Sequence, residues 1–284
     1  MNNNKLCIYP KISIVTPNYN KGEFLENTIL SVLSQNYPNL EYIIIDGGST
    51  DGSLDAIKEY ADKIDYWVSE KDNGCYHAMN KGIKVATGEY VIFMNSGDYF
   101  YTNEVIADFV ASNPTEDVLC GDMFLSLGCV NEVPEKLTFR YFFEGNLPHQ
   151  ACFIKSSVQK QYPYNENLKI VSDWEFFLKA LILNNGSYRK INKIISYFDF
   201  NGISSSNQEL HSEERKFIIQ NLFPNRILED YRLNTTLDFR RLFFWIERTN
   251  FHKPIYQINV LLIKIVSFFT GAKWIKDFNL KERI

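Results

Sequence analysis

Four times in the first hundred residues a short, mostly apolar run ends in a cluster of small, amide and acidic residues. Ile12 to Thr16 runs into Pro17-Asn18-Tyr19-Asn20, and Tyr42 to Ile45 into Asp46-Gly47-Gly48-Ser49-Thr50-Asp51-Gly52. Ile64 to Val68 gives way to Glu70-Lys71-Asp72, and Tyr90 to Met94 to Asn95-Ser96-Gly97-Asp98. Runs of four or five apolar residues without alternation suit strands covered on both faces. Between them, helical stretches are expected over Glu23 to Gln35, Ser53 to Ala61 and Tyr76 to Ala86, with Asn20 placed to cap the first and Gly88 closing the third. Strand, helix, strand in repetition predicts an α/β fold with a mostly parallel sheet flanked by helices. The polar clusters then fall at the carboxyl ends of the strands, where open sheets of this kind bind ligands.

Later segments are less regular. Strands are expected near Val118 to Phe124, Ala151 to Lys155 and Ile194 to Asp199, with a helix over Asp173 to Leu183 stopped by Asn185-Gly186. Ser172 and Glu175 have capping-box spacing, which would place Asp173 in a first helical turn. After Asn201 to Asn207 the chain reads as a helical extension to its end.

Neither common nucleotide fingerprint is present. The first strand-to-helix turn lacks G-x-G-x-x-G, and no Walker A sequence occurs, so hydride transfer and P-loop phosphoryl transfer lose their support. The strand ends carry instead Asp46, Asp51, Glu70, Asp72, Asn95 and Asp98, joined further on by Asp173. Carboxylate oxygens are hard ligands for magnesium or manganese, and such an ion lets an acidic site hold a diphosphate.

In their order and spacing these clusters, with Ala78-Met79-Asn80-Lys81-Gly82, Gly88-Glu89-Tyr90, His149-Gln150 and Ser172-Asp173-Trp174-Glu175, resemble glycosyltransferase family 2. The resemblance covers about residues 10–205 and implies the nucleotide-sugar-binding GT-A fold. Within the family it is most like bacterial members that build O-antigen or capsule polysaccharide. It implies an inverting, metal-dependent hexosyl transfer from a nucleotide-diphosphate sugar, a UDP-sugar by the family's habit. The acceptor would be a hydroxyl of a glycan or polyprenyl-diphosphate-linked glycan. Asp98 is similar to the carboxylate that holds Mn2+ or Mg2+, although Gly97 stands where many members have a second Asp. Asp173 is similar to the catalytic base. Thr16, Pro17, Asn20, Asp46, Gly47, Ser49, Asp72, Asn80, Asn95, Ser96 and Gly97 would form the nucleotide-sugar pocket. His149, Gln150 and Trp174 would lie on the acceptor side, with a structural histidine and a core tryptophan as the alternatives. A sugar nucleotidylyltransferase lacks its Gly-rich opening loop here, and a catalytically inactive nucleotide-sugar-binding scaffold would have no use for both Asp98 and Asp173.

The implied organisation is a catalytic domain over 1–207, binding donor with 10–100 and acceptor with 101–207, followed by an extension over 208–284. Charge divides similarly: residues 1–214 carry net -11 and 215–284 net +7. Phe239 to Trp245 and Ile255 to Phe269 interleave basic and large apolar residues, which suits either an amphipathic helix at an anionic membrane surface or the core of a solvated helical subdomain. The first is peripheral contact with the cytoplasmic face of the inner membrane, and the apolar company of the charges argues against nucleic acid. Ile255 to Thr270 is too short and too interrupted to span a bilayer. Five cysteines, Cys7, Cys75, Cys120, Cys129 and Cys152, with no C-x-x-C spacing and no signal peptide before them, point to a reducing cytoplasm.

Overall fold

The apolar runs form the centre of one sheet in the computed structural model, which describes residues 10–198 and 207–229. Strands β1 (Ile12–Asn18), β2 (Leu40–Asp46), β3 (Tyr66–Ser69) and β4 (Tyr90–Phe93) lie parallel in the order β3-β2-β1-β4. Helices α1 (Gly22–Leu33), α2 (Ser53–Glu59) and α3 (Cys75–Val85) make the crossovers. Every residue of β1 and β4 is buried, which is why neither run alternates. The chain lays down β1, β2 and β3 in one direction and then returns to place β4 on the other side of β1. Strand order therefore reverses between β1 and β4, and a crevice opens at their carboxyl ends.

Beyond β4 the sheet becomes mixed. The chain continues through β5 (Tyr99–Phe100), α4 (Val105–Ala111), β6 (Val118–Leu125), β7 (Cys129–Asn131) and α5 (Phe139–Glu144). A 3-10 turn at His149–Ala151 leads into β8 (Cys152–Lys155) and α6 (Ser156–Gln161). Helix α7 (Ser172–Phe177) widens into a π-helical stretch, Leu178–Leu183, before β9 (Tyr188–Phe198). Strand β8 runs antiparallel to both β4 and β6, so the parallel pattern read in the first half stops there and resumes only where β9 pairs with β6.

Several local expectations change. Asn20 does not cap α1: Lys21 precedes the helix, while Asn20 takes a left-handed φ of 49° and its side-chain oxygen accepts the Thr50 N–H at 2.8 Å. Nor does Ser172 cap α7, which Val171 precedes; the Ser172 hydroxyl instead accepts the Asn165 N–H at 2.6 Å. Cys120 and Cys152, directly paired across β6 and β8, are joined as a disulfide, a pairing that no C-x-x-C spacing announced. Helix α8 (Gln208–Leu222) opens the extension, and the chain divides into two compact units between Ile218 and Ile219. Phe239 to Trp245 and Ile255 to Phe269 lie outside the described residues. Among those described, no helix is long and apolar enough to cross a membrane.

One buried carboxylate ties the amino ends of the central strands together. Glu41 on β2 accepts from Lys11 Nζ (2.9 Å), the Ser13 hydroxyl of β1 (2.5 Å), and the Thr87 N–H (2.7 Å) and hydroxyl (2.6 Å) ahead of β4. Burial pushes its pKa up, but these donors outweigh burial and hold it at about 2. The folded value lies below the unfolded one, so this stabilisation is complete above the ordinary carboxylate range and is lost as pH falls toward 2. Glu41→Gln is expected to cost about 2 kcal/mol at pH 7. In urea unfolding, the gap between variant and wild type should narrow steadily as the pH is lowered from 6 to 3.

Candidate active site

The crevice between β1 and β4 is a cleft of about 830 Å³, and it gathers most of the residues singled out in the sequence. Pro17 and Gly47 line it from the ends of β1 and β2, and Asp72 from the loop before α3. Asn95, Ser96, Gly97 and Asp98 enter after β4, His149 and Gln150 on the 3-10 turn, and Asp173 from the first turn of α7.

Six others stay out of the lining, each for a reason local sequence does not show. Thr16 is wholly buried and hydrogen-bonds the Tyr42 hydroxyl at 3.2 Å. Asp46 is also wholly buried: it takes Asn18 Nδ2 (2.6 Å), the Ser49 (2.5 Å) and Ser69 (2.6 Å) hydroxyls, and the N–H groups of Gly48 and Ser49. Burial raises its pKa, yet those donors hold it below the usual range. Asp46 thus holds the loop after β2 together, and Ser49 and Asn20 belong to the same loop network. Asn80 is spent on Tyr164, giving and receiving backbone hydrogen bonds at 2.8 and 2.9 Å. Trp174 is core, its Nε1 donating to Phe142 O at 2.9 Å. Two of the strand-end carboxylates are likewise structural: Asp51 receives the Gly22 N–H and the Ser53 hydroxyl, and Glu70 pairs with Lys81.

The wall formed by the ends of β1, β2 and β4 is built from backbone and amides. Asn18 bridges two strand ends, giving Nδ2 to Asp46 and receiving the Ser96 hydroxyl on Oδ1 at 2.7 Å. A Cβ on Gly47 would lie 2.8 Å from Asp72 Oδ2, so glycine there leaves the space that the Asp72 carboxylate fills. The turn carrying Asp98 is pinned from α1: Thr28 Oγ1 accepts the Gly97 N–H (3.0 Å) and donates to Asp98 O (2.8 Å). Gly97 sits at φ +101°, which a side chain would strain.

Asp98 is 4% exposed and its Oδ2 accepts Gln150 Nε2 at 3.1 Å. Asp173 is 6% exposed and more heavily engaged. Its Oδ2 accepts His149 Nδ1 (3.0 Å) and Asn146 Nδ2 (3.3 Å), and the Tyr76 hydroxyl lies 3.1 Å from Oδ1. Burial pushes the carboxyl up, but the bonds and charge from His149, the Trp174 N–H and Tyr76 together keep it below the usual range. His149 is engaged at both ring nitrogens, Nδ1 lying 3.0 Å from Asp173 Oδ2 and Nε2 3.0 Å from the Asn95 side-chain amide. His149 and Gln150, neighbours in the chain, therefore reach one carboxylate each. Tyr76 and Asn146 had no signature in the sequence, because their role appears only when α3 and the segment after α5 are folded against α7.

As to metal, no group of three or more His, Cys, Asp or Glu side chains converges among the described residues. The donor set, one carboxylate at a strand end above an open cleft, fits a divalent cation whose other ligands are diphosphate oxygens and water.

Residues 13–162 match the family described as Glycosyl transferase family 2. An uncharacterized glycosyltransferase of Mycobacterium tuberculosis is 34% identical over 207 residues, covering 69% of this chain and 78% of the relative. Among solved structures, Staphylococcus aureus TarS residues 1–349 in complex with UDP superposes with a TM-score of 0.57 at 24% identity, over 66% of this chain and 60% of that one. The mannosyltransferase PcManGT from Pyrobaculum calidifontis, in complex with GDP-Man and Mn2+, gives 0.54 at 16%, over 73% and 60%. The fold is that of the GT-A enzymes, and the chain belongs to glycosyl transferase family 2.

Proposed function

We propose that this glycosyltransferase transfers a sugar from a UDP-sugar, in one displacement with inversion, to a hydroxyl of a glycan or lipid-linked glycan in cell-surface polysaccharide synthesis. The observation that carries the reading is the placement of two buried carboxylates, Asp98 and Asp173, in one cleft, bridged by adjacent residues of a single turn. A scaffold that only bound donor would need no second carboxylate with so complete a set of donors.

In this reading the nucleoside lies against Pro17, Gly47 and Asp72, and the diphosphate near Asn95 to Asp98. Asp98 would hold a manganese or magnesium ion, which would supply positive charge to the departing nucleoside diphosphate. Asp173 accepts the proton of the acceptor hydroxyl as that oxygen attacks the anomeric carbon. Ionised throughout the neutral range, it is ready to accept, and His149 and Asn146 hold the lone pairs it does not use. His149 links Asp173 to Asn95, so the donor-side and acceptor-side walls share one hydrogen-bonded chain. The TarS complex with UDP favours a uridine donor. The catalytic domain extends to residue 207 in this proposal, and the basic remainder contacts an anionic membrane surface on the cytoplasmic side, where a polyprenyl-linked acceptor would be met.

Thermal-shift titration with UDP is expected to raise Tm only when manganese or magnesium is present, with GDP and dTDP giving smaller rises. Asp98→Asn should abolish the metal-dependent part, and a rise that survives in that variant argues against Asp98 as the ligand. Asp173→Asn should lower turnover about a thousandfold with UDP binding unchanged. The folded Asp173 pKa is depressed, so the acid limb of the rate profile should lie below the ordinary carboxylate range. In His149→Ala burial dominates, and that limb should move upward, toward neutral pH. Co-sedimentation of the full chain with anionic vesicles at low salt should fade as salt is raised; no binding at low salt removes the membrane assignment.

A further inference from the structure

Helix α8 lies beyond the residues matched by the family, yet two of its adjacent side chains close around the segment that carries Asp173. Glu214 is 8% exposed. Its Oε1 accepts the Lys169 N–H at 2.7 Å, and its Oε2 the N–H groups of Ile170 (3.0 Å) and Val171 (3.3 Å). Those are the three residues leading into α7, and Val171 O accepts the Glu175 N–H of its first turn at 3.0 Å. Ile170 O in turn lies 2.6 Å from the Tyr76 hydroxyl, whose single proton is shared between that carbonyl and Asp173 Oδ1.

Arg215 holds the other side. Its guanidinium stacks 4.3 Å above the Trp174 ring, next in the chain to Asp173. Its Nη2 donates to the carbonyls of Phe142 (2.5 Å), Gly145 (3.1 Å) and Phe143 (3.3 Å), the end of α5 that delivers Asn146 to Asp173 Oδ2. A buried carboxylate facing three successive N–H groups and a half-buried guanidinium facing three carbonyls hold the backbone beside the base.

We propose that Glu214 and Arg215 are positioning residues for the transfer reaction: Glu214 fixes the backbone entering α7 and Arg215 the Asn146 arm, and together they set the orientation of the Asp173 carboxylate. This rests on the reading of Asp173 as the base. A helix that merely packed on the domain would affect stability everywhere; a positioning pair acts on the base and leaves the donor wall alone. A carboxylate displaced by about 1 Å can lose on the order of a hundredfold in rate.

The test uses the full chain with Glu214→Gln, Glu214→Asp, Arg215→Lys and Asp173→Asn. UDP with manganese serves as the binding probe, UDP release from a saturating UDP-sugar as the rate, and hydrogen–deuterium exchange as the structural readout. In Glu214→Gln, amides 169–173 should exchange at least about tenfold faster with β1 and β2 unchanged. The rate should fall about tenfold to a hundredfold with UDP affinity held within about twofold, and Glu214→Asp should recover part of it. Arg215→Lys, which keeps the charge and loses the planar fork, should lower the rate with Tm nearly unchanged, and decides the matter if Glu214→Gln does not fold. Unchanged exchange at 169–173, exchange that quickens uniformly over the domain, or an undiminished rate would each overturn the proposal. Turnover retained in Asp173→Asn overturns the base assignment and this proposal with it. Turnover lost there but undiminished in the Glu214 and Arg215 variants overturns this proposal alone.

Discussion

A carboxylate removed from water must be surrounded by donors or give up its charge, and the Asp173 carboxylate meets that requirement by drawing on four separate segments. Helix α3 brings Tyr76, the segment after α5 brings Asn146, the 3-10 turn brings His149, and α7 offers its own N–H at Trp174. Asn146 and His149 stand three residues apart, but Tyr76 and α7 reach them only by way of the finished sheet. The charge keeps its ionised form out of water only because the folded arrangement supplies these donors.

The donor wall obeys a different economy. Its groups come from the ends of strands that are buried on both faces, so their positions follow from the sheet register and not from side-chain networks. Where side chains do take part they work as braces: Asn18 spans the ends of β2 and β4, Asp46 gathers the loop after β2, and Thr28 clamps the turn that presents Asp98. In the proposed reaction the rigid backbone would meet the nucleotide and the polar web the acceptor.

The parallel half of the sheet, its crevice and the place of Asp98 at a strand end were legible in the sequence, because apolar runs and strand-end polar clusters are local signals, whereas Asp173 was reached through the family resemblance. Which acidic residue faces the cleft was not. Asp46, Asp51 and Asp72 all follow strands in loops rich in small residues, and only the fold shows that the first two are consumed by nearby hydroxyls and N–H groups while Asp72 fills the space beside Gly47. The expected caps at Asn20 and Ser172 failed for the same reason, since distant N–H groups claimed their side-chain oxygens first. The Cys120–Cys152 pair, Tyr76, Asn146 and the grip of α8 depend on contacts across 27 or more residues, or on a helix met only after the sheet is complete; no spacing rule reaches them.

The 3-10 turn at His149–Ala151 has a consequence for how such a chain can vary over generations. Successive side chains on a 3-10 helix point about 120° apart, which is what lets His149 and Gln150 serve carboxylates on opposite sides of the cleft. A single inserted or deleted residue there would swing both away at once, and no compensating substitution elsewhere could restore the pair. Loops such as the β6 to β7 hairpin can grow or shrink as acceptors change, whereas this three-residue stretch is bound to a constant length, so lineages should diverge around it and not within it.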